Sequence, residues 1–131
     1  MGIKTIWEES FKAAADYKLK QFYAMRQTAG TEGSATLCSA VTDRVLGILQ
    51  NKPDINQAAE IMIMGISKAV SDGTTAIAAG DPLTVDTSGR VVKNATADRP
   101  TIGMALQPST AVGTVIEVML TGWAGAFRTP A

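Results

Sequence analysis

The chain has 131 residues, enough for one domain, with 12 basic and 12 acidic residues and a formal net charge of zero. That balance lacks the basic excess or stripe of a nucleic-acid binder, and no apolar run approaches the ~20 residues of a membrane-spanning helix. Histidine is absent and cysteine occurs once, which removes the commonest general base and metal ligand, any internal disulfide and any cysteine-rich zinc site.

Residues 1–16 read as a separate arm. Ile3, Ile6, Trp7 and Phe11 are spaced among charges, and Ala13-Ala14-Ala15 follows. The arm has no evident pairing partner and is expected to be irregular or to hold one short helical turn. Phe11, Ala15, Leu19 and Phe22 fit a helical stripe, but Tyr17, Leu19, Tyr23 and Met25 alternate with polar or small residues. Residues 19–27 are therefore expected as a strand. Thr28-Ala29-Gly30-Thr31-Glu32-Gly33-Ser34 is a turn, and strands are expected over 35–41 and 44–50. Cys38, in the first of these, is expected to be a small buried hydrophobe, because no histidine is present to activate it as a nucleophile.

Asn51-Lys52-Pro53-Asp54 interrupts the pattern, since proline removes a donor and its neighbours favour turns. Residues 58–70 form a long apolar strand, apolar on both faces at 61–64 and so expected to be central. Ser71-Asp72-Gly73 turns the chain. Leu83-Thr84-Val85 and Arg90-Val91-Val92-Lys93 flank Asp86-Thr87-Ser88-Gly89, a hairpin signal in which glycine takes the positive φ. In the last strand Ile116, Val118 and Leu120 share one face and Val115, Glu117 and Met119 the other. The tail from Gly122 carries Trp123 and Phe127 among small residues.

One pattern occurs twice. Gly47-Ile48-Leu49-Gln50, a turn with Pro53, and Glu60-Ile61-Met62-Ile63-Met64-Gly65 match Gly103-Met104-Ala105-Leu106-Gln107, a turn with Pro108, and a second strand ending at Gly122. An Asp-Arg pair precedes each copy, Asp43-Arg44 and Asp98-Arg99. Two such hairpins in a short chain predict an all-β fold, a small, roughly two-fold barrel or sandwich of hairpins with an extended N-terminal arm. The expected division is arm 1–16, β domain 17–122 and tail 123–131.

The constellations that could carry chemistry have simpler readings. Gly30-Thr31-Glu32-Gly33-Ser34 lacks the Gly-Lys-Ser/Thr ending of a phosphate loop. Asp81, Asp86 and Asp98 could be paired acids or ligands of a hard cation, but each sits where Asp starts or caps a turn. Lys93 in a hairpin arm suggests a carrier-domain lysine, yet Val92-Lys93-Asn94 is not the Asp-Lys or Met-Lys-Met context of lipoyl and biotinyl carriers. No catalytic residue, metal or cofactor is expected, and an enzyme is not expected.

The order Gln21-Phe22-Tyr23-Ala24-Met25, Gly47-Ile48-Leu49-Gln50-Asn51-Lys52-Pro53, Gly65-Ile66-Ser67-Lys68, Ala79-Gly80-Asp81-Pro82-Leu83, Asp86-Thr87-Ser88-Gly89-Arg90 and Gly113-Thr114-Val115-Ile116-Glu117-Val118 resembles the capsid decoration or cement proteins of tailed bacteriophages and prophages. The resemblance covers about residues 14 to 121. It implies a small β-rich protein, commonly a trimer, made in the host cytoplasm and placed on the outer face of the virion head, where it staples major capsid protein subunits together. It implies no catalytic site. Alternatives are another phage structural module, such as a tail- or fibre-associated trimer, and a small barrel that carries or binds a ligand.

A protein of this kind needs exposed apolar anchors that are buried on assembly. Ile3, Ile6, Trp7 and Phe11 in the arm, with Trp123 and Phe127 in the tail, are the expected partner-binding residues. Apolar residues on both faces of 61–64 and 115–120 exceed what one small barrel should hide, so a homo-oligomer, a trimer, is expected to share that surface.

Overall fold

The computed structural model describes residues 2–95 and 99–121, and among these it is all-β, with nine strands and no helix. The strands are β1 (Lys4–Ala13), β2 (Ala24–Gln27), β3 (Ser34–Leu37), β4 (Val45–Leu49), β5 (Ala58–Val70), β6 (Pro82–Val85), β7 (Val91–Lys93), β8 (Gly103–Ala105) and β9 (Val115–Thr121). They form one sheet in the order β1-β3-β2-β4-β5-β9-β8-β6-β7. A further pairing of β1 with β5 closes the first five strands into a ring. The last four strands close more loosely, through a parallel bridge from Ser71, just past β5, to Val91 of β7.

β5 is the member common to both rings. It pairs antiparallel with β1 from Ala58 to Ile66 and with β9 from Met64 to Val70. β4 meets it at Ile61 and Met62. The expected central strand over 58–70 is thus present with those bounds. Its two faces feed two cores, because successive side chains point opposite ways. Ile61 joins Ala13, Tyr17, Met25, Ala35, Leu49 and Ala59 inside the first ring. Met62 joins Ala24 and Ile48 on the outside of that ring, where they cluster with Leu83, Val85, Val91, Ala105, Ile116 and Val118 of the second.

The sequence duplication is a structural one, and it extends beyond the two hairpins. Met25 stands opposite Leu37 as Leu83 stands opposite Lys93. Ala24 pairs with Ile48 as Pro82 pairs with Met104. Ile48 pairs with Met62 as Met104 pairs with Met119. Lys12 pairs with Ala58 as Val70 pairs with Val115. The side chains that terminate each hairpin correspond as well. The Gln50 N–H donates to the Glu60 carbonyl at 2.7 Å, and the Leu106 N–H to the Glu117 carbonyl at 2.9 Å. The Glu60 N–H donates to the Asn51 side-chain carbonyl at 3.0 Å, and the Glu117 N–H to that of Gln107 at 2.9 Å.

Four expectations need correction. Residues 4–13, read as irregular or as one helical turn, form the ten-residue strand β1. Their partner is the remote β5, and pairing at that separation leaves no local sequence signal. The strand expected over 19–27 begins only at Ala24. Before it the chain turns, and Phe22 takes φ 71°, held by its N–H to the Leu49 carbonyl at 2.7 Å and by the Val70 N–H to its own carbonyl at 3.0 Å. The strand expected over 35–41 stops at Leu37. Of the apolar surplus expected at 61–64 and 115–120, Ile61 and Met62 are fully buried and Ile63 nearly so in the chain's own two cores, while Met64 is half-buried and Val115 and Met119 are exposed.

Candidate interaction surface

The described residues hold no group of three or more His, Cys, Asp or Glu placed to bind a metal ion. Cys38 is buried, and burial, reinforced by the nearby Asp43 carboxylate, pushes its thiol up to about 12. A thiol held protonated is a poor nucleophile, in keeping with the expected packing role. The aspartates act in turns: Asp81 accepts the Ala78 N–H at 2.8 Å, and Asp86 accepts those of Ser88 at 2.8 Å and Arg90 at 2.9 Å. Asp98 lies outside the described residues. Lys93 sits 3.8 Å from the Asp81 carboxylate.

The surface that stands out is apolar. Three ladders set Met104 opposite Met119, Met119 opposite Ile66, and Ile66 opposite Lys4. This is a straight row across β8, β9, β5 and β1. Met119 is 40% exposed and Met104 36%. Beside the row, Lys4, Ile6, Met64, Ile66, Met119 and Leu120 line a shallow groove of about 370 Å³. Unbranched methionine side chains on a flat sheet can adapt to a partner's shape.

The repeat gives this row a meaning that exposure alone would not. Met104 and Met119 are the counterparts of Ile48 and Met62, the same ladder pair one repeat earlier. In the first repeat that pair is fully buried against the second ring. In the second repeat it is bare. The chain therefore exposes a face whose twin is already a docking face.

The expected anchors divide. Ile6 is 71% exposed and borders the groove, and Ile3 is also exposed. Trp7 is 44% exposed, and its indole N–H donates to the Glu9 carboxylate at 2.9 Å. Phe11 is half-buried and packs on the core of its own ring with Tyr17 and Met25. Trp123 and Phe127 lie outside the described residues. Sequence reading missed Met64, Ile66, Met104 and Met119. The hairpin alignment already paired Met119 with Met62 and Met104 with Ile48, but only the three-dimensional arrangement shows that one pair is covered and the other open.

The family model described as phage cement protein matches residues 12–120. No curated protein matches. Among solved structures, the head fiber gp8.5 N base of bacteriophage phi29 superposes with a TM-score of 0.66 at 11% identity, over 95% of this chain and 98% of that one. At that identity the likeness is one of fold.

Proposed function

This chain belongs to the phage cement protein family, and from that membership we propose that it binds the outer surface of a phage head and stabilises the lattice of major-capsid subunits. It is a phage structural protein. The observation that carries it is the Met104–Met119–Ile66 row, an apolar face laid over rigid sheet whose repeat twin is buried. Such a face loses its contact with water only on assembly, at roughly 25 cal/mol per Å² of apolar surface covered.

The arm supplies the second contact. Ile6 and Trp7 are exposed on β1, which is paired with β5, and Ile3 is exposed just before it, so the two strand residues are pre-positioned and lose little backbone freedom on binding. The protein acts as a homotrimer, and several modest contacts per trimer, repeated over the head, give firm attachment through avidity. The test uses purified empty, expanded heads. Added protein should co-sediment with them at a lattice-matched copy number and raise their disruption temperature. No co-sedimentation, or no change in disruption temperature at saturation, would overturn the reading.

The fold likeness to the base of a head fiber favours one second reading, a fiber-associated module. A copy number per particle far below that of the capsid lattice, at specific positions, would support it instead.

A further inference from the structure

β1 is paired along only part of one edge. β5 lies on one side of it from Lys4 to Lys12. On the other side β3 reaches only Lys12 and Ala13, and among the described residues no strand lies beside residues 4–10. Those residues are exposed throughout. Proteins that keep such an edge solitary blunt it with short length, proline, charges, bulges or a cover. This one has no proline; its charges at Lys4, Glu8 and Glu9 and its register shifts beside Trp7 leave Ile6 and Trp7 exposed between them.

The repeat shows what an edge of this kind takes. β1 stands to the first ring as the later part of β5 stands to the second: the Ala14 N–H donates to the Ala35 carbonyl, and the Asp72 N–H to the Val91 carbonyl. Residues 62–66 are the counterparts of 4–8. The corresponding edge of β5 is covered there by an antiparallel strand, β1 itself, with Glu8 opposite Met62 and Lys4 opposite Ile66. The bare edge is the uncovered instance of one that the fold covers elsewhere.

We propose that the free edge of β1 pairs antiparallel with the same segment of a second copy of this chain, about a two-fold axis through Ile6. Lys4 of each copy then faces Glu8 of the other, and the two Ile6 side chains meet at the centre. Moving the axis to Glu8 sets carboxylates against each other, and moving it to Lys4 sets lysine against lysine. Like charges directly opposed across strands are destabilising. The segment is self-complementary in one arrangement, which selects a second copy over an unrelated strand. Main-chain hydrogen bonds supply the affinity and the side chains the register. The contact is isologous, so it joins subunits of neighbouring trimers and extends the apolar row of each into one face.

The test uses the full chain with Ile6→Cys, oxidised mildly near neutral pH and run on a non-reducing gel. A covalent dimer is expected in about tenfold greater yield than for Ser10→Cys, whose two thiols would lie too far apart for a disulfide. Wild type gives the background, and its Cys38 is buried. Adding Lys4→Glu to Ile6→Cys should lower the dimer yield about fivefold, and mixing that protein with Glu8→Lys/Ile6→Cys should restore it. Ile6→Cys that cross-links no better than Ser10→Cys overturns the proposal. So does cross-linking that appears only after residues 122–131 are removed, because the edge is then covered by the chain's own end. The readout needs no phage head, so its failure leaves the head-binding proposal standing.

Discussion

Gly47 and Gly103 occupy the same point in the two repeats, each lying against the carbonyl oxygen of a methionine on the neighbouring strand, Met62 and Met119 respectively. A side-chain carbon at either position would overlap that oxygen, and the obstacle is backbone, which cannot move aside as a long side chain would. Both glycines are fixed by close approach of two strands. Gly47→Ala and Gly103→Ala should each destabilise the protein by about 1–3 kcal/mol, the range of overpacking in a tight core. Urea unfolding of both variants measures this. A loss under ~0.5 kcal/mol at either site would show that the strands can separate there.

Met62 and Met119 are repeat counterparts in opposite environments. Met62→Ala empties space in a fully buried cluster and should cost about 2–5 kcal/mol of folding stability. Met119→Ala should stay within about 0.5 kcal/mol of wild type, as exposed positions do. On purified heads the order reverses for the folded variants. Met104→Asp and Met119→Asp should fold normally and bind heads at least about tenfold more weakly, each placing a charge on an apolar contact. Equal head binding by both would remove the row from the interface.

Trp7 and Phe11, similar as sequence features, should separate in experiment. Phe11 packs on the first ring's core, so Phe11→Ala should lower stability by roughly 2–3 kcal/mol. Trp7 is exposed and held by a hydrogen bond two residues away. Trp7→Ala should change stability by less than ~1 kcal/mol yet cost on the order of 2 kcal/mol in head binding if the ring is a central anchor. Thermal unfolding beside head co-sedimentation distinguishes the two. A Trp7→Ala protein that unfolds early and binds normally once folded would reverse the assignment.

Asp72 links stability to pH. The Thr74 hydroxyl donates to its carboxylate at 2.8 Å and the Thr74 N–H at 3.2 Å. Those bonds, chiefly the hydroxyl's, together with Asp86 and the charge of Arg90, hold its pKa below the usual aspartate value. The folded-state pKa is therefore below the unfolded one. The ionised form favours folding above the ordinary aspartate range, and that contribution is lost as pH falls through the folded value. Wild type should exceed Asp72→Asn in denaturation midpoint at neutral pH, and the gap should close between about pH 5 and pH 2. A gap independent of pH would assign the role of Asp72 to hydrogen bonding alone.

Much of this molecule is legible in its residues taken one stretch at a time. The alternation along 58–70, the turn chemistry of Asp86–Gly89 and the spacing of the two hairpins each express a local rule: side chains alternate across a strand, and glycine takes the positive φ that other residues avoid. Those rules led to the all-β class, to β5 as the central strand and to the duplication, and the combination of cement-protein motifs over most of the chain marked the family. What lay beyond them was set by contacts between distant segments. The partner of β1 is a strand some fifty residues away whose match to it has no local signature. The exposure of Met104 and Met119, against the burial of Ile48 and Met62, depends on which ring has a neighbour to cover it. Two segments of like sequence obey the same local physics and make the same ladder. Whether each then faces protein or water is decided by what the rest of the chain brings alongside.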